Sequence, residues 1–134
     1  MLREIADKYY REGNYNCAET IIRAANEYYQ LGLHDRDMIM MGGYGGGMQT
    51  ASTCGTLLSS VAVLSMKFVE ARAHESKDIQ PVVIMLTKRF KEQFGSTECR
   101  EIKPQFFQKE IRCWNTIQKA CDVLESVLED YQPK

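Results

Sequence analysis

Four cysteines, Cys17, Cys54, Cys99 and Cys113, each sit beside a helix-end signal, a glycine-rich turn or an apolar face. Cys54 is the most telling. It follows the run Gly42-Gly43-Tyr44-Gly45-Gly46-Gly47-Met48 and opens a long apolar segment. In the first turn of a helix, unpaired backbone N–H groups and the positive end of the macrodipole favour thiolate over thiol. A thiolate is the reactive nucleophile and the metal ligand alike. Gly45, Gly46, Gly47 and Gly55 flank this thiol and are the candidate cofactor contacts, because glycine lets another group approach the backbone closely. The plainer reading is that Cys54 is a small core residue at a helix start. Cys17 and Cys113 lie on apolar stripes, where a cysteine can serve packing alone. Cys99 falls in a polar loop, where packing explains it poorly. Cys121 lies mid-helix and reads as packing.

The elements that must position these thiols are helical nearly throughout. Leu2 to Arg11 has helical apolar spacing and stops at Gly13-Asn14. A second helix from about Asn16 to Leu31, capped by Asn14 or Asn16, puts Cys17, Ile21, Ala24 and Tyr28 on its inner face, and Gly32 ends it. Asp35 to Met41 reads as a short helix or turn. Ser52 or Thr53 caps a helix from about Thr53 to Ala71. Asp78 caps another from Ile79 to Phe94, with Pro81 in its first turn and Gly95 as its stop. Cys99 follows, on a single turn at most. Pro104 opens the last element, whose stripe is Cys113, Ile117, Ala120, Leu124 and Leu128. No segment alternates as a half-buried strand does. The expected fold is all-α: one domain over residues 1–134, a bundle of four main helices with a short N-terminal helix and a glycine-rich loop.

Composition narrows the chemistry. The chain has 134 residues, 18 acidic against 17 basic, and a net charge of −1. That length can bury a real core, and that charge attracts neither nucleic acid nor an anionic membrane. The start is charged and amphipathic, and the longest apolar run, Thr56 to Val69, is too short to span a bilayer. The expected location is the cytoplasm, where several cysteines point to metal, redox work or packing rather than structural disulfides. No spacing is C-x-x-C, which argues against a zinc ribbon, a thioredoxin-type pair and covalent haem attachment. The glycine run follows no strand and lacks Gly-Lys-Ser/Thr, so neither phosphate-loop fingerprint is met. His34 and His74 stand alone, the carboxylates Glu19, Asp35 and Glu70 form no acid–base pair, and Ser59-Ser60 has no partner base.

With these residues in view, the chain resembles a family named for its cysteine pattern, C_GCAxxG_C_C, whose members are proposed to be redox-active. The resemblance runs over almost the whole chain. It is carried by Gly13-Asn14-Tyr15-Asn16-Cys17-Ala18-Glu19, the glycine run Gly42 to Met48, Cys54-Gly55-Thr56-Leu57-Leu58-Ser59, Phe94-Gly95-Ser96-Thr97-Glu98-Cys99-Arg100, and Cys113. Cys121 falls outside it. The chain departs at Thr56, where the family has alanine, and at Ser59, where it has a second glycine. A larger side chain at Ser59 could narrow a ligand space. The resemblance implies a helical domain with four thiols gathered at one site. Family members often sit beside transporter genes, which implies a transport-linked redox partner, and a split-Soret type of haem cytochrome is similar to the family.

Three functions follow. In the first, thiol–disulfide chemistry centres on Cys54 as a low-pKa nucleophile, with Cys17 resolving and Cys99 and Cys113 as a second pair or relay. In the second, Cys17, Cys54, Cys99 and Cys113 ligate a metal or cofactor: zinc, an iron–sulfur cluster or haem. In the third, the chain is a helical interaction module, with dimerisation open to it, and Met38, Met40, Met41 and Met48 form either its surface or a core around the glycine loop.

Overall fold

The computed structural model describes residues 1–134 and is all-α, a single compact domain with seven α-helices and no strand. In chain order they are α1 (Leu2–Asp7), α2 (Cys17–Tyr29), α3 (Asp35–Met38), α4 (Gly55–Phe68), α5 (Ile79–Phe94), α6 (Cys99–Phe106) and α7 (Trp114–Asp130). The four long helices form the bundle. α2 packs on α4, α5 bridges α4 and α7, and α1 crosses α2 and α7. Fully buried Ile21, Leu64, Leu86, Phe90, Ile117 and Leu124 fill the space between them. No helix is long and apolar enough to cross a membrane.

Local chemistry explains the helix starts. Asn16 begins α2 with a reciprocal capping box: its side chain accepts the Glu19 N–H at 3.0 Å and its own N–H donates to the Glu19 carboxylate at 3.0 Å. Cys17 is thereby fixed in the first turn. The inner face of α2 differs from the expected stripe at its end. Ile21, Ala24 and Ala25 are buried, but Tyr28 is exposed, and α2 closes at Gln30 in the left-handed conformation rather than at Gly32. Asp78 precedes α5, yet its carboxylate accepts from the Tyr131 hydroxyl and the Lys134 N–H instead of capping. The Ser76 hydroxyl takes the Asp78 and Ile79 N–H groups. Gly95, at φ 75°, ends α5 as expected.

Three boundaries depart from the expectation. α4 starts at Gly55 with Cys54 as its cap residue and ends at Phe68, not Ala71. Neither Ser52 nor Thr53 caps it: Ser52 pairs with the Thr50 hydroxyl and Thr53 donates to Glu98. Cys99 opens two turns of helix, and Pro104 lies inside α6 rather than opening the last element, which begins after Cys113. Pro104 lies in the second turn of α6, which stops two residues later. The methionines divide: Met38 and Met41 are buried, whereas Met40 and Met48 are exposed.

Candidate functional site

The end of the molecule where the glycine loop meets α2, α4, α6 and α7 gathers the candidate residues. Gly46, Gly47, Met48, Gln49 and Ala51 all have φ between 59° and 65°, a left-handed turn in which three members are not glycine. Each non-glycine residue there costs roughly 1–2 kcal/mol. The turn is held by the Ser52 N–H on the Gly47 carbonyl (2.9 Å), the Thr50 hydroxyl on the same oxygen (3.2 Å) and the Arg100 Nε on the Ala51 carbonyl (3.1 Å). It delivers the chain into one antiparallel bridge between Thr53 and Glu98. In that bridge the Cys54 N–H donates to the Thr97 carbonyl (2.8 Å) and the Cys99 N–H to the Ser52 carbonyl (2.7 Å). Two backbone hydrogen bonds therefore fix both cysteines to one bridge, Cys54 opposite Thr97 and Cys99 opposite Ser52, although 44 intervening residues separate them in the chain.

Cys17, Cys54, Cys99 and Cys113 line one cavity of about 40 Å³, together with Gly46 and Gly55. All are free thiols. Gly55 makes the closeness possible: a Cβ there would stand 2.7 Å from the Tyr44 carbonyl and 2.9 Å from the Cys17 sulfur. Gly47 plays the same part for Cys99, whose Cβ would meet an added Cβ at 2.8 Å. Of the four glycines proposed as cofactor contacts, Gly46 and Gly55 face the cavity, while Gly47 packs on Ser52 and Cys99 and Gly45 makes room for the Asn16 side chain. Neither His34 nor His74 reaches the cavity.

The residues 15–127 match a protein family described as "Putative redox-active protein (C_GCAxxG_C_C)". The chain belongs to this family. No curated protein and no solved structure shows significant similarity to it. The four cysteines on which the resemblance rests are the four around the cavity. Cys121, outside the pattern, is buried elsewhere in the core. The two departures from the pattern have distinct fates. The Ser59 hydroxyl donates to the Ala18 carbonyl at 2.7 Å, tying α4 to α2, and does not narrow the cavity. The Thr56 hydroxyl lies 3.1 Å from the Cys54 sulfur, where alanine could make no hydrogen bond.

The electrostatics correct the expected role of Cys54. Desolvation pushes its thiol up, and hydrogen bonds from the Thr56 side chain and from the Thr56 and Leu57 backbone pull only part of the way back. The helix start is real, but burial outweighs it. Burial likewise pushes Cys17 up to about 12, opposed in part by the Gly46 and Ala18 N–H groups. Cys113 is raised by burial, with the Lys103 charge and the Tyr10 hydroxyl acting against it. The sulfurs sense one another: charge on Cys54 disfavours charge on Cys17 and on Cys113, and charge on Cys99 disfavours it on Cys54. Cys54 thus sits among all three others.

Two residues escaped the sequence reading. Lys103 lines the cavity as its one basic side chain. It stands four residues after Cys99 on α6, so the i,i+4 spacing was a usable signal once a helix there was recognised. Tyr10 is buried, and its hydroxyl accepts the Cys113 N–H at 3.0 Å. Its ring stacks on Trp114 with centroids 6.3 Å apart. A widened, π-helical turn over Lys8–Glu12 aims Tyr10 at the start of α7. No local signal announces a contact 103 residues away. As for metals, no three cysteine, histidine or carboxylate side chains are placed to hold one ion. A space of about 40 Å³ has room for a water molecule and not for a haem. The arrangement does not fit a preformed metal or haem site.

Proposed function

We propose that this protein performs thiol–disulfide exchange, with Cys99 as the attacking thiol and Cys54 as the resolving one. The observation that carries this reading is the single cavity shared by four free cysteines, two of them, Cys54 and Cys99, anchored to the Thr53–Glu98 bridge. Cys99 is half-buried and borders an open cleft on the outside, the approach we assign to a disulfide in solvent. Cys54 is buried and has the other three thiols around it.

The chemistry balances without a cofactor. The Cys99 thiolate attacks one sulfur of a disulfide, forms a mixed disulfide and expels a thiolate, which takes a proton from solvent. Cys54, losing its proton, attacks the Cys99 sulfur. The Cys54–Cys99 bond forms and the second thiol leaves. Two protein thiols have been oxidised and one disulfide reduced to two thiols. Cys17 or Cys113 can then attack Cys54, breaking one sulfur–sulfur bond and making another, so the oxidation moves inward. The raised pKa of Cys17 suits a late acceptor better than a first nucleophile.

The test is disulfide mapping. The reduced protein is equilibrated in redox buffers of increasing potential, quenched by alkylation and digested. An intramolecular Cys54–Cys99 bond that forms reversibly at one midpoint, with Cys121 reduced throughout, supports the reading. Four thiols that stay alkylatable across the series, or bonds only between molecules, overturn it.

A further inference from the structure

Outside Cys99 lies an open cleft of about 360 Å³. It is separate from the inner cavity but shares Gly46, Cys99 and Lys103 with it. Arg100 and Lys103 line the cleft, Pro104 and Phe107 form its apolar wall, and no carboxylate lines it. Arg100 reaches the Ala51 carbonyl through Nε, and its guanidinium makes no ion pair. Lys103 has no carboxylate partner either, and its ammonium rests 4.9 Å from the Phe107 ring centroid. Six other basic side chains of the chain (Arg3, Lys8, Arg11, Arg23, Arg72 and Arg89) are held in ion pairs, whereas Arg100 and Lys103 stand uncompensated beside Cys99 in the lining of the cleft.

Resting on the exchange chemistry above, we infer that the cleft binds a small disulfide bearing carboxylates, with Arg100 and Lys103 holding the carboxylates and the substrate sulfur presented to Cys99. The volume is that of a small-molecule site. A guanidinium matches a carboxylate through two parallel hydrogen bonds, and the ammonium adds a point charge. The apolar wall of Pro104 and Phe107 takes the aliphatic part of one arm. The other arm stays in solvent and is the half expelled as thiolate when Cys99 forms the mixed disulfide. The second half leaves when Cys54 attacks.

The experiment compares three disulfides on the reduced full-length protein: oxidised glutathione (anionic), bis(2-hydroxyethyl) disulfide (neutral) and cystamine (cationic). Rates of adduct formation at Cys99 are read by quenched mass spectrometry at low salt. Denatured protein supplies the intrinsic reactivity of each reagent. After that normalisation, glutathione disulfide should react about tenfold or more faster than cystamine. The preference should shrink with added salt and reverse in Arg100→Glu/Lys103→Glu. S-methylglutathione, which cannot exchange, should slow alkylation of Cys99 by iodoacetamide in the wild type, a readout that needs no variant to fold. Equal normalised rates with no protection overturn the anionic subsite and leave the exchange reading intact. First adducts at Cys17 or Cys113 also overturn it. Failure of all three disulfides to oxidise Cys99 and Cys54 overturns the exchange reading itself.

Discussion

Cys113 and Cys121 stand eight residues apart at the start and in the middle of the same long helix, and they live in different worlds. Cys121 is completely buried in the core. Desolvation, then the neighbouring Asp122 and Glu125 charges, push its thiol up, with only Arg3 acting the other way. It has no sulfur neighbour to exchange with. Cys113 is also raised by burial, but it faces three other thiols, a lysine and a tyrosine hydroxyl. Burial is common to both, so burial does not tell the cavity cysteine from the core one. What distinguishes them is a second sulfur within reach and a path from solvent to the first.

Removing the path should have the largest effect. Cys99→Ser is expected to nearly abolish oxidation by small disulfides, because Cys99 is the one cavity thiol that borders the outer cleft. Cys121→Ala should leave that rate unchanged and cost about 1–2 kcal/mol of stability, as large-to-small core changes do. Stopped-flow oxidation and denaturant unfolding read the two quantities. A Cys121→Ala protein that loses exchange activity while still folded would erase the contrast between the two regions.

The next largest effect concerns the closeness of the sulfurs. Gly55→Ala places a Cβ against the Tyr44 carbonyl and the Cys17 sulfur. The backbone oxygen cannot swing aside, so the variant should lose about 1–3 kcal/mol, and α2 and α4 must part slightly at the cavity. Denaturant unfolding gives the loss. The same substitution at Gly43, which has nothing within 4 Å, should cost far less. Equal costs at the two positions would mean that Gly55 is not the spacer between α2 and α4.

Alkaline pH should then act on both regions in the same direction. Cys17 and Cys121 are both raised above the ordinary thiol value of 9.0 by burial. Above about pH 9 the unfolded chain releases these protons while the folded chain keeps them, so stability falls as pH rises. For Cys17 the decline runs from about 9 to about 12. Melting temperatures measured between pH 7 and 10.5 should drop more for the wild type than for Cys17→Ala or Cys121→Ala, each of which removes one such proton. Parallel curves would show that these thiols ionise alike in both states.

Much of the architecture was legible because it follows from short-range rules. The Asn16–Glu19 capping box, the Gly95 stop and the apolar stripe of α7 are each written within a few residues. The site was legible only as four cysteines with suggestive neighbours. The left-handed conformations of Met48, Gln49 and Ala51 carry no sequence mark, since glycine is the residue that announces them. The Thr53–Glu98 bridge and the Tyr10–Cys113 hydrogen bond join residues far apart in the chain. The sign of the Cys54 shift failed for a related reason: the helix start is local, but desolvation is a property of everything packed around it.

Thr56 offers the finest probe of that balance. Its hydroxyl, 3.1 Å from the Cys54 sulfur, is the one side-chain hydrogen bond opposing desolvation there, and Cys121 has none. Thr56→Ala should raise the Cys54 pKa further and slow the resolving step at neutral pH several-fold, on the order of 1 kcal/mol. The first step, attack by Cys99, should be untouched. Thr56→Ser, which retains the hydroxyl, should restore the resolving rate. The decisive measurement is the pH dependence of the second kinetic phase. Its midpoint moves to higher pH in Thr56→Ala and stays in place in Thr56→Ser if the hydroxyl stabilises the thiolate. If the midpoint is the same in all three proteins, the hydroxyl only fills space, and Cys54 owes its difference from Cys121 to its sulfur neighbours alone.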